Sequence, residues 1–283
     1  MKKPTLRKTV AAELYKALHN KMFWFALAVG LALIGMDLME CAANIHEAVD
    51  SVMEFREKGY DMYLGYSLFS SWMYLGNGTY GANLLTTVWP LLAAMAFGWS
   101  YNNERTTGVY DQIVSRVGIR QYFLSKHIAL FVSGGLALSL PMVVDLLGMG
   151  LIYPAVGHPN IWDTSFLSEL ALVSPWGFCF AMCGMGFLWG GATACICHCV
   201  GSYLRHGVMV VLVPYALYIV IDAVISTLYA MFPDQTPIAL SPRLLGTMLD
   251  THNYGWIQFS YLILFTVGSF ALGLWQVKKN ELV

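Results

Sequence analysis

Asp145 and Asp222 are the ionisable side chains set deepest in otherwise apolar sequence, within LSLPMVVDLLGMG and PYALYIVIDAVIS. A charge at bilayer depth costs at least about 2.5 kcal/mol, so each carboxyl must face a bundle interior, a wet cavity or a partner. Two roles fit that requirement. Either group could line a pathway or make a gate contact, or it could hydrogen-bond Ser, Thr or Tyr and hold two helices together. Pro141 and Pro214 lie in the same two stretches and are able to kink them, which suits moving elements.

The segment Glu104–Lys126, ERTTGVYDQIVSRVGIRQYFLSK, carries a different chemistry. Val109, Ile113 and Val117 recur at helical spacing, as do Ile119 and Phe123, while Arg116, Arg120 and Lys126 add positive charge. Gly108 and Gly118 read as breaks that divide it into short helices. Such a compact, partly apolar knob can dock into a groove on a partner and pass that partner's motion to both flanking helices. A basic loop that only enforces topology is the competing reading.

Other motifs fare less well. Gly76–Gly81 fits G-x-G-x-x-G but has no preceding strand and no acidic ribose partner, so a turn explains it better. Asn77-Gly78-Thr79 is also a glycosylation sequon, relevant only to a chain on a eukaryotic secretory route. In Cys195-Ile196-Cys197-His198-Cys199, a helix puts Cys195 and Cys199 on one face and Cys197 on another. Three thiolates so placed do not converge on one tetrahedral metal, and small packing residues are the default reading; no metal site is assigned. There is no Gly-x-x-x-x-Gly-Lys-Ser/Thr, His-Glu-x-x-His or Gly-x-Ser-x-Gly pattern, so neither phosphate cradling nor hydrolytic catalysis has a motif, and no catalytic residue is assigned.

The elements that must position these residues are membrane spans. Hydrophobic residues make up 57% of the chain and charged ones 12%, against about a quarter charged in soluble domains. Met22–Met39, Ala82–Tyr101, His127–Tyr153, Ala171–Cys197, Gly207–Phe232 and Trp256–Val277 are apolar runs of the roughly 20 residues that cross a bilayer as helix. Backbone groups in lipid must be satisfied within their own segment, which predicts an all-α polytopic membrane protein of six helices.

Lys and Arg set the expected orientation. With the N-terminus inside, Lys2, Lys3, Arg7, Lys8, Lys16, Lys21, Arg105, Arg116, Arg120, Lys126, Arg205, Lys278 and Lys279 are cytoplasmic, and only Arg56, Lys58 and Arg243 are outside. Both termini are then cytoplasmic. One membrane domain is expected over residues 1–283, with an amphipathic interfacial helix in 1–21, an external loop at 41–81 and a cytosolic loop at 102–126. Leu6, Val10, Leu14 and Leu18 form the apolar stripe of the first of these, suited to lying on anionic lipid. Ile45, Val49, Val52 and Met53 extend the first span outward, and the aromatics from Tyr60 to Tyr74 suit a membrane–water boundary. Pro233, Pro237 and Pro242 break up the outer loop after the fifth span. Gly186, Gly190 and Ala194, four apart, allow close helix approach, either within the chain or in a dimer.

Glu104, Gly108, Ser115-Arg116, Arg120 and Lys126, leading directly into a span, resemble the cytosolic loop of type-2 ATP-binding-cassette (ABC) transporter permeases. The entrance Glu13-Leu14-Tyr15-Lys16 with Lys21 and Phe23-Trp24 is similar to that family's N-terminal interfacial helix, and Lys278-Lys279-Asn280-Glu281 to its polar tail. The Pro often found between the family's two arginines is replaced here by Val117-Gly118. The resemblance implies a non-catalytic permease subunit in a cell membrane, a bacterial inner or plasma membrane, that exports an amphipathic peptide or drug-like substrate. It further implies a cytosolic ABC ATPase subunit as partner, a second permease copy or paralogue, and lipid contact, with no nucleic acid. Glu104, Gly108, Arg116, Arg120 and Lys126 would bind the partner, and ATP and Mg would be held by the partner rather than by this chain. The alternative is an ion-coupled secondary transporter using Asp145 and Asp222 as carriers. Against it, the halves show no repeat and no matching pair of broken helices.

Overall fold

The computed structural model describes residues 5–59, 67–72, 79–157, 167–204, 206–232 and 255–281. All regular structure among them is helical. Six helical stretches are long and apolar enough to cross a membrane: Lys21–Glu57, Tyr80–Thr106, Ile119–Ile152, Pro175–Tyr203, Gly207–Met231 and Phe259–Val277. The chain is a multi-pass helical membrane protein on that basis. Tyr60, Tyr63, Tyr66, Tyr74, most of the Gly76–Gly81 segment and the prolines Pro233, Pro237 and Pro242 lie outside the described residues.

The chain opens with α1 (Leu6–Leu18), then α2 (Lys21–Glu57), whose first turn is capped by the Asn20 side chain accepting from the Met22 amide. The first span therefore runs well past Met39, as the helical spacing of Ile45, Val49 and Met53 anticipates. A short α3 (Leu68–Ser71) precedes α4 (Tyr80–Phe97), which Thr79 caps at Ala82, and α5 (Ser100–Thr106) prolongs the same crossing. Next come α6 (Val109–Val117) and α7 (Ile119–Ile152). Gly108 at φ 72° and Gly118 at φ 90° make the two corners, in backbone regions where a Cβ is strained.

The fourth crossing differs from its expected start at Ala171. Ala171 belongs to the short α8 (Ser168–Val173), and α9 (Pro175–Tyr203) starts afresh beyond it and continues past Cys197. The reason is local: the Ser174 hydroxyl accepts from the Gly177 amide, and Pro175 occupies a first-turn position where its missing N–H is harmless. After α10 (Gly207–Met231), the last span is α11 (Gly255–Ile263), a π turn (Leu264–Gly268) and α12 (Ser269–Glu281).

Helix α9 is the hub, packing on α7, α4, α10, α12 and the π turn. Its glycines make that possible. A Cβ on Gly190 would lie 2.5 Å from the Gly134 carbonyl oxygen, and one on Gly134 would lie 2.4 Å from the Ala194 Cβ. The small-residue row Gly186, Gly190 and Ala194 therefore faces α7 of the same chain. By contrast only 11% of the most apolar window of α10 is buried, and Leu212, Leu217, Val220, Val224 and Leu228 stand exposed along it.

Candidate functional site

Helix α1 seats Thr9, Glu13 and Ala17 against α7, a face one residue out of phase with the Leu6, Val10, Leu14 and Leu18 stripe. Leu6 is exposed, and the other three are half-buried. That rotation brings Glu13 inside. The Lys126 ammonium, fully buried, reaches Glu13 Oε2 at 2.9 Å and Glu104 Oε1 at 2.7 Å. Lys16 bridges the same two carboxylates from the rim, at 2.7 Å to Glu13 and 3.3 Å to Glu104. Two acids and two bases form a neutral cluster that ties together α1, α5 and α7. Burial works to lower the affinity of Lys16 for its proton. The hydrogen bond and charge of Glu13, followed by those of Glu104, outweigh it and hold the ammonium above its ordinary range.

The remaining valences are filled. Tyr122 donates to Glu104 Oε2 at 2.5 Å, and the Lys126 ammonium lies 5.0 Å above the Phe97 ring centroid. Around the cluster, Gln121 donates to Thr9 at 3.0 Å, Asn102 to the Leu204 carbonyl at 2.7 Å and Arg105 to the Ser202 carbonyl at 3.4 Å. Helix α5 is thereby fastened to the end of α9 as well.

The five residues singled out on the Glu104–Lys126 segment occupy two kinds of position. Glu104 and Lys126 lie inside the ion cluster. Arg116 and Arg120 are exposed, on α6 and on the first turn of α7, and Gly108 forms the corner leading into α6. Helix α6 turns Tyr110 inward, with Ile113 and Val114 partly buried, onto Tyr101, Tyr122 and Phe123, leaving Asp111, Gln112, Ser115 and Arg116 exposed. The knob is thus a short helix with an apolar underside and a polar outer face, clamped at its base.

Asp145 is fully buried near the other end of the bundle. Its carboxyl lies close to that of Asp37, which accepts from the Thr79 hydroxyl. Asp222 lies half-buried on the second half of α10, among mostly exposed neighbours. Between α4, α9, α10 and the π turn lies an apolar cavity of about 230 Å³, walled by Trp89, Trp189, Thr193, Pro214, Tyr218 and Phe265 among others.

None of the six cysteines forms a disulfide; the Cys195 thiol points to the His127 carbonyl at 3.8 Å, and Cys197 packs on Val210 and Val211. Among the described residues no set of three or more His, Cys, Asp and Glu is arranged to hold a metal ion.

Sequence reasoning missed Glu13 as a cluster member, Asp37, and the buried rings His127 and His198. Asp37 had a signal, since it is the sole charged residue in the run Met22–Met39. The histidines had a weaker one, each lying in or beside an apolar run. No protein-family model matches the chain, and no curated protein sequence matches it.

Proposed function

We propose that this chain is the membrane-spanning permease subunit of an ATP-driven exporter, working on energy released by a separate cytosolic ABC ATPase. The observation that carries the reading is the clamped knob. Helix α6 offers an exposed polar face bounded by two glycine corners, with Arg116 on it and Arg120 just beyond, and its base is fixed to α1, α5, α7 and α9 through the Glu13–Lys126–Glu104 cluster and the Asn102 and Arg105 contacts. A force applied to α6 would reach four helices without dissipating in a flexible loop.

Three further features support it. The Lys and Arg distribution favours a cytoplasmic position for the knob. The uncovered α10 suits packing against a second permease copy, and Asp222 on that helix would then leave lipid. The aromatic cavity at Trp89, Trp189, Tyr218 and Phe265 suits the apolar part of an amphipathic peptide or drug-like substrate.

The test is co-purification from native membranes with a nucleotide-binding protein, together with that protein's ATPase rate free and associated. The double reversal Arg116→Glu and Arg120→Glu is expected to weaken association about tenfold or more, roughly 1.4 kcal/mol. Unchanged association and unchanged transport would remove the docking role. Transport driven by an ion gradient with no nucleotide would instead favour the secondary-transporter reading through Asp145 and Asp222.

A further inference from the structure

A cleft of about 610 Å³ opens where the end of α1, the start of α2 and the α4–α5 bend meet. Its size falls within the range of pockets that hold small molecules and their polar groups, roughly 300–1,000 Å³. Tyr15, Lys16 and His19 wall it from α1, and Trp99, Ser100 and Asn103 wall it from the bend. No acid stands among the walls.

These walls carry donors with little else to bind. Lys16 spends two of its three N–H groups on Glu13 and Glu104, at 2.7 and 3.3 Å, and keeps the third. The Tyr15 hydroxyl, the Trp99 indole, the Ser100 hydroxyl and the Asn103 carboxamide make no hydrogen bond among the described residues. The His19 ring donates from Nδ1 to the Tyr15 carbonyl at 3.0 Å and stacks on the Tyr15 ring at 3.9 Å, which fixes one wall.

We propose that this cleft binds the phosphate of an anionic phospholipid headgroup. A phosphodiester accepts hydrogen bonds, donates none and carries one negative charge. A single ammonium with several neutral donors around one cleft matches that demand, and charge-assisted hydrogen bonds to phosphate are the strong kind. A zwitterionic headgroup also brings an ammonium, for which the walls offer no carboxylate, so a headgroup of net negative charge such as phosphatidylglycerol is preferred. The surface beside the donors favours a lipid over a free phosphate. Met22 belongs to the same wall, and Trp24 and Phe25, the positions just after it on α2, are 59% and 54% exposed. Acyl chains hanging from a phosphate in the cleft have that apolar start of the first span to lie on. Tyr and Trp at the cleft are also the residues that settle at headgroup level. The bound lipid would tie α1 to the α4–α5 bend, next to the ion cluster that joins the same elements. The inference needs only a membrane-embedded chain and does not depend on the permease reading.

Native mass spectrometry of the full chain, titrated in detergent with phosphatidylglycerol or with phosphatidylcholine, tests it. One phosphatidylglycerol should be retained in preference to phosphatidylcholine. Ser100→Ala combined with Asn103→Leu should weaken its binding about tenfold or more, since each removes a hydrogen bond to a charged group. Arg7→Gln combined with Lys8→Gln, exposed on α1 but not part of the cleft, should leave it unchanged. Should the first pair fail to fold, Ser100→Ala alone, which deletes only a hydroxyl, must still weaken binding. Equal retention of the two lipids overturns the proposal, as does an equal loss in both variant pairs, which would mark general attraction to a basic helix. Displacement of the lipid by excess inorganic phosphate would assign the cleft to a free phosphate and overturn the lipid as its occupant.

Discussion

Lys126→Met should destabilise the folded chain by about 3–5 kcal/mol, the range for removing one partner from a buried ion pair. The size follows from what is left behind. Lys126 is the only cation fully enclosed with Glu13 and Glu104 among the described residues, and Glu13's own side chain is 3% exposed. Without the ammonium, two carboxylates at the junction of α1, α5 and α7 share only the half-exposed Lys16, and one buried negative charge is left uncompensated. Lys16→Met makes the matched control. Its side chain is 43% exposed, so its pairs are screened and the expected loss is within about 1 kcal/mol. Adding Glu104→Gln to Lys126→Met should recover part of the loss, because it removes one of the stranded charges. Unfolding in detergent micelles, read by circular dichroism, makes the comparison. Equal costs at Lys126 and Lys16 would mean that the cluster does not hold the base of the knob.

Gly190→Leu should cost about 3 kcal/mol or more and leave little monodisperse protein, exceeding the usual penalty for overpacking a core. Here the obstruction is backbone. The first added carbon already falls 2.5 Å from the Gly134 carbonyl oxygen and 3.1 Å from the Leu138 Cβ, so α7 and α9 must separate along their crossing. The same helix supplies the control: a Cβ on Gly184 meets nothing within 4 Å. Gly184→Leu should therefore stay within about 0.5 kcal/mol of the parent. Size-exclusion profiles and unfolding midpoints of the two variants separate a specific crossing from a general dislike of bulk in the span. Similar losses at both positions would reject the crossing as the cause.

Hydropathy made the six crossings legible because lipid demands continuous apolar helix, a constraint that a window of about 20 residues detects directly. The helix boundaries followed different physics. The fourth crossing starts where Ser174 and Pro175 supply a cap, a signal that a hydropathy window overlooks. The glycine corners of the knob could be read, because Gly108 and Gly118 interrupt an otherwise helical pattern. What surrounds the knob could not be read from local pattern. Glu13 resembles any polar residue on an amphipathic helix, and its inward position depends on how α1 is rotated against α7, whose Lys126 lies 113 residues away in sequence. Asp145 stood out as a buried acid, yet its companion Asp37 is 108 positions earlier (145 less 37) and had to be brought there by the packing of α2 on α7. The π turn has no composition of its own, since Leu264–Gly268 reads as ordinary apolar span.

In the proposed exporter, α6 is the surface through which a nucleotide-driven partner moves this bundle. A photo-reactive amino acid placed at Ser115, exposed on α6 and remote from the ion cluster, tests it in native membranes. Irradiation should yield one adduct with a cytosolic nucleotide-binding protein, lost when Arg116 and Arg120 are both reversed. Labelling of that position from the outer face of the membrane, or an adduct unaffected by the reversal, would contradict the account.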